Sequence, residues 1–318
     1  MAKVRTCFLG LLWAVLSVFC AHTLIHAQVT LLIPAKPDIS VPKQAQDKKE
    51  AKGSPKDAQK EPAAKPAQTN STEPASQDLE MRLPSIDEEN DLLITLMDPF
   101  ANQGFAMDPP QSFTVLRYNR EGQSKDGHLL PVRRDLLGDV EEILYKGQKA
   151  WGANVGLVHP GLFQFVLETK PWWDEKQKTF LQQSVKVMVP VYGEDAGWHE
   201  STGQRFEIVP LTRPFGLTAP QTFTGRVLLE NRPLPGAQVT LYRINTDGQK
   251  VPTHWHQSLS LRSNANGEFS FTANRAGWWC AMAHLEGAPL KGADGQPKTL
   301  QLGTLFWFFV DSESANAR

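Results

Sequence analysis

Short apolar runs of strand length, separated by turn residues, recur along the chain from residue 91 to residue 310. Residues 91–97 (DLLITLM), 113–118 (FTVLRY), 161–167 (GLFQFVL) and 184–192 (SVKVMVPVY) have the length and composition of strands. Pro190 in the last of these predicts an edge strand, because proline cannot donate to a ladder. Over 136–145 the apolar spacing is not alternating, which predicts a helical turn or two. The same grammar continues in 222–229, 237–244, 258–262, 268–272, 277–284 and 302–310, with Asp247-Gly248 and Asn266-Gly267 as turn signals. Between the two sets lies 206–217 (FEIVPLTRPFGL), broken by Pro210 and Pro214, which reads as one β domain ending and another beginning. The expected fold is all-β, with two β-sandwich domains and a disordered insertion near the N-terminus. The C-terminal sandwich is expected to be immunoglobulin- or transthyretin-like.

Composition refines this plan. Residues 35–80 are dominated by Lys, Ala, Pro, Gln, Ser and Asp and contain no aromatic residue, so they cannot bury enough apolar area to offset their ordering entropy. At the start, Lys3 and Arg5 precede an apolar run over 7–21, and Ile25-His26-Ala27 offers a small-residue cleavage site. That three-part layout is that of a secretory signal, although the VTLLI run after it leaves a retained anchor open. The expected organisation is therefore a signal peptide (1–27), a first strand (28–34), a disordered segment (35–80), an N-terminal β domain (81–210), a C-terminal sandwich (211–311) and a tail (312–318). Export to the periplasm or beyond follows, with no membrane span once the signal is cleaved. Of three cysteines only Cys280 would remain, so no internal disulfide is available and a buried inert thiol is expected. A formal net charge of −1 gives no electrostatic case for nucleic acid.

Few residues carry recognisable chemistry. His254 and His256 flank Trp255, and on a strand two such residues face the same side, so both imidazoles would converge on one metal ion. Asp98 and Asp108 offer further carboxylates for a shallow cation site. Glu207, inside an apolar run, requires a partner, and Arg213 is the expected one, forming a structural pair across the junction. Trp172-Trp173, Trp278-Trp279 and Trp307 suggest either core packing or stacking platforms, and alternation puts adjacent rings on opposite faces. There is no Gly-x-Ser-x-Gly elbow, His-Glu-x-x-His, phosphate-binding glycine loop or paired-cysteine motif, so no enzymatic activity is expected.

Four segments together resemble the NikM-like family: 171–198 (PWWDEKQKTFLQQSVKVMVPVYGEDAGW), 206–217, 224–242 (TGRVLLENRPLPGAQVTLY) and 264–283 (NANGEFSFTANRAGWWCAMA). The resemblance implies an exported, mostly β protein associated with nickel and cobalt uptake. It further implies a nickel or cobalt ion as ligand and an envelope transport system as partner. The chain departs from that pattern at two places. Gln28 stands where relatives often begin the mature chain with His, and Asp98-Pro99 stands where they tend to carry His-Pro. The expected function is a non-enzymatic binding or accessory component of the envelope. The alternative is a module that binds a polymer or partner protein through exposed aromatics, without a metal.

Overall fold

A computed structural model of the chain describes residues 28–40, 88–122 and 129–313. The expected signal peptide, residues 41–80 of the expected disordered segment and residues 314–318 lie outside the described residues. The first half comprises β1 (Val29–Pro34), β2 (Glu89–Asp98), β3 (Gln103–Phe105), β4 (Ser112–Tyr118), β5 (Val132–Asp135), β6 (Glu141–Tyr145), β7 (Gln148–Gly156), β8 (Gly161–Glu168), β9 (Trp172–Asp174) and β10 (Thr179–Val191). The second comprises β11 (Phe206–Pro210), β12 (Leu217–Thr218), β13 (Gln221–Leu229), β14 (Arg232–Pro233), β15 (Gln238–Arg243), β16 (Leu259–Arg262), β17 (Glu268–Ala273), β18 (Gly277–Lys291) and β19 (Pro297–Asp311).

The strands form three sheets, and the all-β class is as the residue pattern predicts. Strands β1-β2-β7-β6, with β3 on β2, make the first. A ten-stranded sheet follows the path β16-β15-β18-β19-β10-β8-β4-β5, and β11, β13, β14 and β17 make the third. Alternation explains how the sheets layer. Along β19, Leu305 and Trp307 point into a core shared with β1 and β2, whereas Phe306, Phe308 and Val310 point into a core shared with β11, β13 and β17. The middle of the large sheet is therefore covered on both faces, and Trp307 is fully buried with its Nε1 donating to the Thr30 carbonyl at 3.0 Å. Trp278 and Trp279 likewise pack against different cores.

The boundary expected at 210/211 falls between β11 and β12, and main-chain hydrogen bonding crosses it. β10 runs parallel to β19, from Phe180↔Leu300 to Val187↔Trp307, and β11 pairs with β13 from Phe206↔Leu229 to Pro210↔Gly225. Local periodicity specifies strands but not their partners. For the same reason β10 is central and not the edge strand that Pro190 suggested. The proline is accommodated because the pairing with β19 ends at Val187, leaving that flank to Ile39, whose N–H donates to the Pro190 carbonyl at 3.0 Å.

Two further expectations change. Residues 136–145 give a single 3-10 turn (Leu137–Asp139) and then β6, in place of a helix. Residues 35–40, assigned from composition to the disordered segment, are docked: Ala35 N–H donates to the Asp91 carbonyl at 2.7 Å, and Ile39 is buried. One isoleucine at the right spacing suffices to anchor a stretch that is polar on average. Beside the second core, Gly197 has φ +88°, and a Cβ there would lie 2.6 Å from the Tyr118 ring. Only glycine allows the chain to pass so close, and its carbonyl accepts the Gln164 amide at 2.8 Å.

Candidate ligand groove and buried ion pair

Glu207 on β11 is completely buried, and the partner predicted for it is not the one it has. Lys186 of β10, equally buried, places its Nζ 2.6 Å from Glu207 Oε1. The same carboxylate accepts the Ser201 hydroxyl at 2.6 Å, the Thr202 hydroxyl at 2.9 Å and the Thr202 N–H at 2.9 Å. Burial alone would raise the Glu207 carboxyl, but the Lys186 charge and these hydrogen bonds outweigh it and hold it below the usual carboxylate range. Burial pulls the Lys186 ammonium down, with Glu207 restoring part of the loss. The Lys186 Nζ also lies 5.5 Å from the centre of the Phe306 ring. Nearby, burial and the charges of Glu207 and Glu200 push the Tyr118 hydroxyl up to about 12. Arg213, the expected partner, instead lies half exposed over the Phe215 ring, 4.0 Å from Asp195.

Lys186 escaped the sequence reading because it occupies the polar phase of SVKVMVPV. In an edge strand with one wet face that phase is solvated. In β10 both faces are covered, so the lysine has to find its counter-charge inside.

The four metal candidates do not assemble. His254, Trp255 and His256 form a 3-10 turn and not a strand, so His254 and His256 project from different sides of its axis. His254 leans on Trp255 at 4.4 Å between ring centres, and His256 Nδ1 shares a hydrogen bond of 3.0 Å with Thr253. Asp98 caps a turn, its Oδ1 accepting the N–H groups of Phe100 and Ala101, both at 2.9 Å. Asp108 is exposed. Among the described residues no group of three or more His, Cys, Asp or Glu side chains is placed to hold an ion. Cys280 is buried, and burial pushes its thiol up, away from metal-binding or nucleophilic chemistry.

The same 3-10 turn does border a groove of about 460 Å³, within the usual range of ~300–1,000 Å³ for ligand sites. The loop from β15 to β16 forms one wall. It is pinned by Asn245, whose N–H donates to the Pro99 carbonyl at 2.9 Å and whose Nδ2 donates to the Phe100 carbonyl at 3.1 Å. Asp98 thus acts at one remove, by shaping the turn on which this loop rests. Trp255 stands on the rim with 78% of its surface in water. Trp279, also in the lining, is held by its Nε1 donating to the Arg275 carbonyl at 2.9 Å and by packing on Phe271 at 5.6 Å. Arg243 is tied to Asp247 at 2.6 Å and to the Ala276 carbonyl at 3.2 Å. The groove therefore combines an exposed aromatic face, a rigid aromatic wall and fixed polar donors. No sequence motif marks it, because its walls come from residues 100, 241–259 and 271–279.

A second groove, of about 410 Å³, opens beside Thr202 and is walled by polar and apolar side chains, with Arg133, Arg205 and Glu168 as its charged members. The Glu168 carboxyl is raised by burial. Trp255 and Trp279 have no counterpart in this second groove.

The three sheets and two cores define a layered β-sandwich protein, and among the described residues no helix is long and apolar enough to cross a membrane. The chain belongs to the family described as Domain of unknown function (DUF4198), whose profile matches residues 80–287. No curated protein matches the sequence. Among solved structures, similarity extends to BcpA, the major pilin subunit of Bacillus cereus, at 11% identity over 71% of this chain and 65% of that one, with a TM-score of 0.14. A variant of the same pilin is similar at 12% identity over 66% of this chain and 57% of that one, with a TM-score of 0.14. The Bacillus anthracis TIE protein is similar at 8% identity over 71% of this chain and 53% of that one, again with a TM-score of 0.14. The chain spans less than two thirds of each.

Proposed function

We propose that this protein is an exported, non-catalytic binding component of the cell envelope, and that the groove beside Trp255 is its contact for an extended polymer. The observation that carries this reading is an indole left 78% in water in the same groove lining as a second indole whose Nε1 is bound to the Arg275 carbonyl. Exposed tryptophan beside fixed hydrogen-bond donors is the composition of recognition surfaces, where such rings often dominate affinity. Export is supported by the charged, apolar and small-residue succession over residues 3–27. Affinity electrophoresis of the protein through gels containing dextran, laminarin or polygalacturonate tests the reading. At least one polymer should retard it, and Trp255→Ala should weaken that retardation by about tenfold or more, as expected of a tryptophan hot spot. Unchanged mobility in all three gels would remove the groove as a polymer contact.

A role in nickel or cobalt uptake, with a transport system as partner, is the second reading, and the four segments resembling the NikM-like family support it. Direct capture by His254 and His256 is disfavoured by geometry, since the 3-10 turn that they form points them to different sides of its axis. Calorimetric titration with nickel or cobalt should therefore show no site tighter than about 1 mM that depends on them. A micromolar isotherm abolished by His254→Ala with His256→Ala would restore direct capture at these residues.

A further inference from the structure

We propose that the ligand of the Trp255 groove is an acidic polysaccharide carrying carboxylates on its sugars, an inference that rests on reading the groove as a polymer contact. The charge of the lining points this way. Arg243, Lys250 and Arg275 line the groove, and no Asp or Glu does. The one carboxylate bound to this cluster, Asp247, lies outside the lining and holds Arg243 at 2.6 Å and Arg275 at 3.6 Å. Two guanidinium groups thus share one carboxylate, and the Lys250 ammonium adds a third positive charge to the lining. Lys250, exposed, makes no hydrogen bond or ion pair among the described residues.

A neutral sugar would use the indole faces and leave this excess charge unanswered. A uronate would use both, because a guanidinium fork matches the geometry of a carboxylate and the Arg275 side chain is half exposed, 3.6 Å from Asp247, whereas Arg243 is already held by three polar atoms: Asp247 Oδ1 at 2.6 Å, the Ala276 carbonyl at 3.2 Å and Gln249 Oε1 at 3.3 Å. Trp255 supplies the stacking surface beside these charges, so a chain lying along the groove meets an aromatic face and cationic groups together.

Affinity electrophoresis with matched gels of polygalacturonate, dextran and dextran sulfate separates the outcomes. At low salt, polygalacturonate should retard the protein about tenfold more strongly than dextran, and the difference should collapse at ~1 M salt, where screening acts within about 3 Å. Lys250→Gln with Arg275→Gln, both at exposed or half-exposed positions, should abolish that preference and leave the circular dichroism spectrum unchanged. Equal retardation by dextran, insensitive to the double substitution, would overturn the acidic ligand while the polymer contact stands. Stronger retardation by dextran sulfate than by polygalacturonate, unaffected by Trp255→Ala, would reduce the effect to general anion adsorption and overturn it as well. No retardation in any gel would overturn the polymer contact itself, and the acidic ligand with it.

Discussion

Lys186→Met is expected to destabilise the protein by about 3–5 kcal/mol, the usual cost of leaving one member of a buried ion pair without the other. Methionine fills much of the lysine's volume, so the loss comes from charge and not from a cavity. Glu207 would keep its hydrogen bonds from Ser201 and Thr202 but would lose the only cation paired with it among the described residues. Urea unfolding at pH 7 measures this directly. Lys186→Met with Glu207→Leu should recover most of the loss, since two apolar side chains leave no charge stranded. A single variant within about 1 kcal/mol of the parent would mean that the pair is energetically idle.

The pair also sets a pH signature. The folded Glu207 carboxyl is held below its unfolded value of about 4.3. Its contribution is therefore present above that value and fades as pH falls through the lower, folded one. In Lys186→Met the cation is gone and burial raises the carboxyl, so the folded state takes up a proton first. Its deficit should then shrink on acidification towards pH 5, opposite to the parent's trend. Unfolding midpoints between pH 4 and 8 distinguish the two.

Phe223→Ala is expected to be comparably severe, about 3–5 kcal/mol by the usual cost of truncating a buried aromatic. Phe223 is fully buried, and its ring lies 4.4 Å from that of Phe308 at an interplanar angle of 5°. Phe306, Phe271 and Phe269 surround it at 5.9, 5.9 and 6.3 Å. The packing leaves no slack: a Cβ on Gly225 would stand 2.7 Å from the Phe269 ring, so the neighbouring backbone already lies against the cluster. Thermal or urea unfolding should show the loss, and Phe223→Leu should cost far less by retaining most of the volume. Equal losses for the two variants would point to ring stacking instead of cavity formation as the dominant contribution.

What the sequence discloses and what it hides separate along a physical line. Alternation is local, so the strands over 91–97, 113–118, 222–229 and 268–272 could be read directly and lie within the observed β2, β4, β13 and β17. Partnership is not local. Nothing near Val187 announces Trp307 as its parallel neighbour, and without that pairing Lys186 reads as a surface residue. The His254-Trp255-His256 triplet misled for a related reason. Its spacing suits a strand, but Pro252 precedes it and the chain turns there, so two-residue periodicity no longer maps onto one face. The groove was the least legible feature, because its rim, wall and charges lie on separated stretches whose only common signal is tryptophan.

The parallel contact between β10 and β19 also has a consequence for how the chain is made. After Val187, roughly 110 residues must be synthesised before Leu300 and its neighbours can lie alongside, about 5–20 s at ordinary elongation rates. Throughout that interval one flank of the early half presents unpaired amide and carbonyl groups, a template open to any extended segment nearby. Because so much of the sheet depends on distant residues, its closure belongs to the late, slow part of folding. A strand made more than a hundred residues later is thus the one that seals the first half of the molecule.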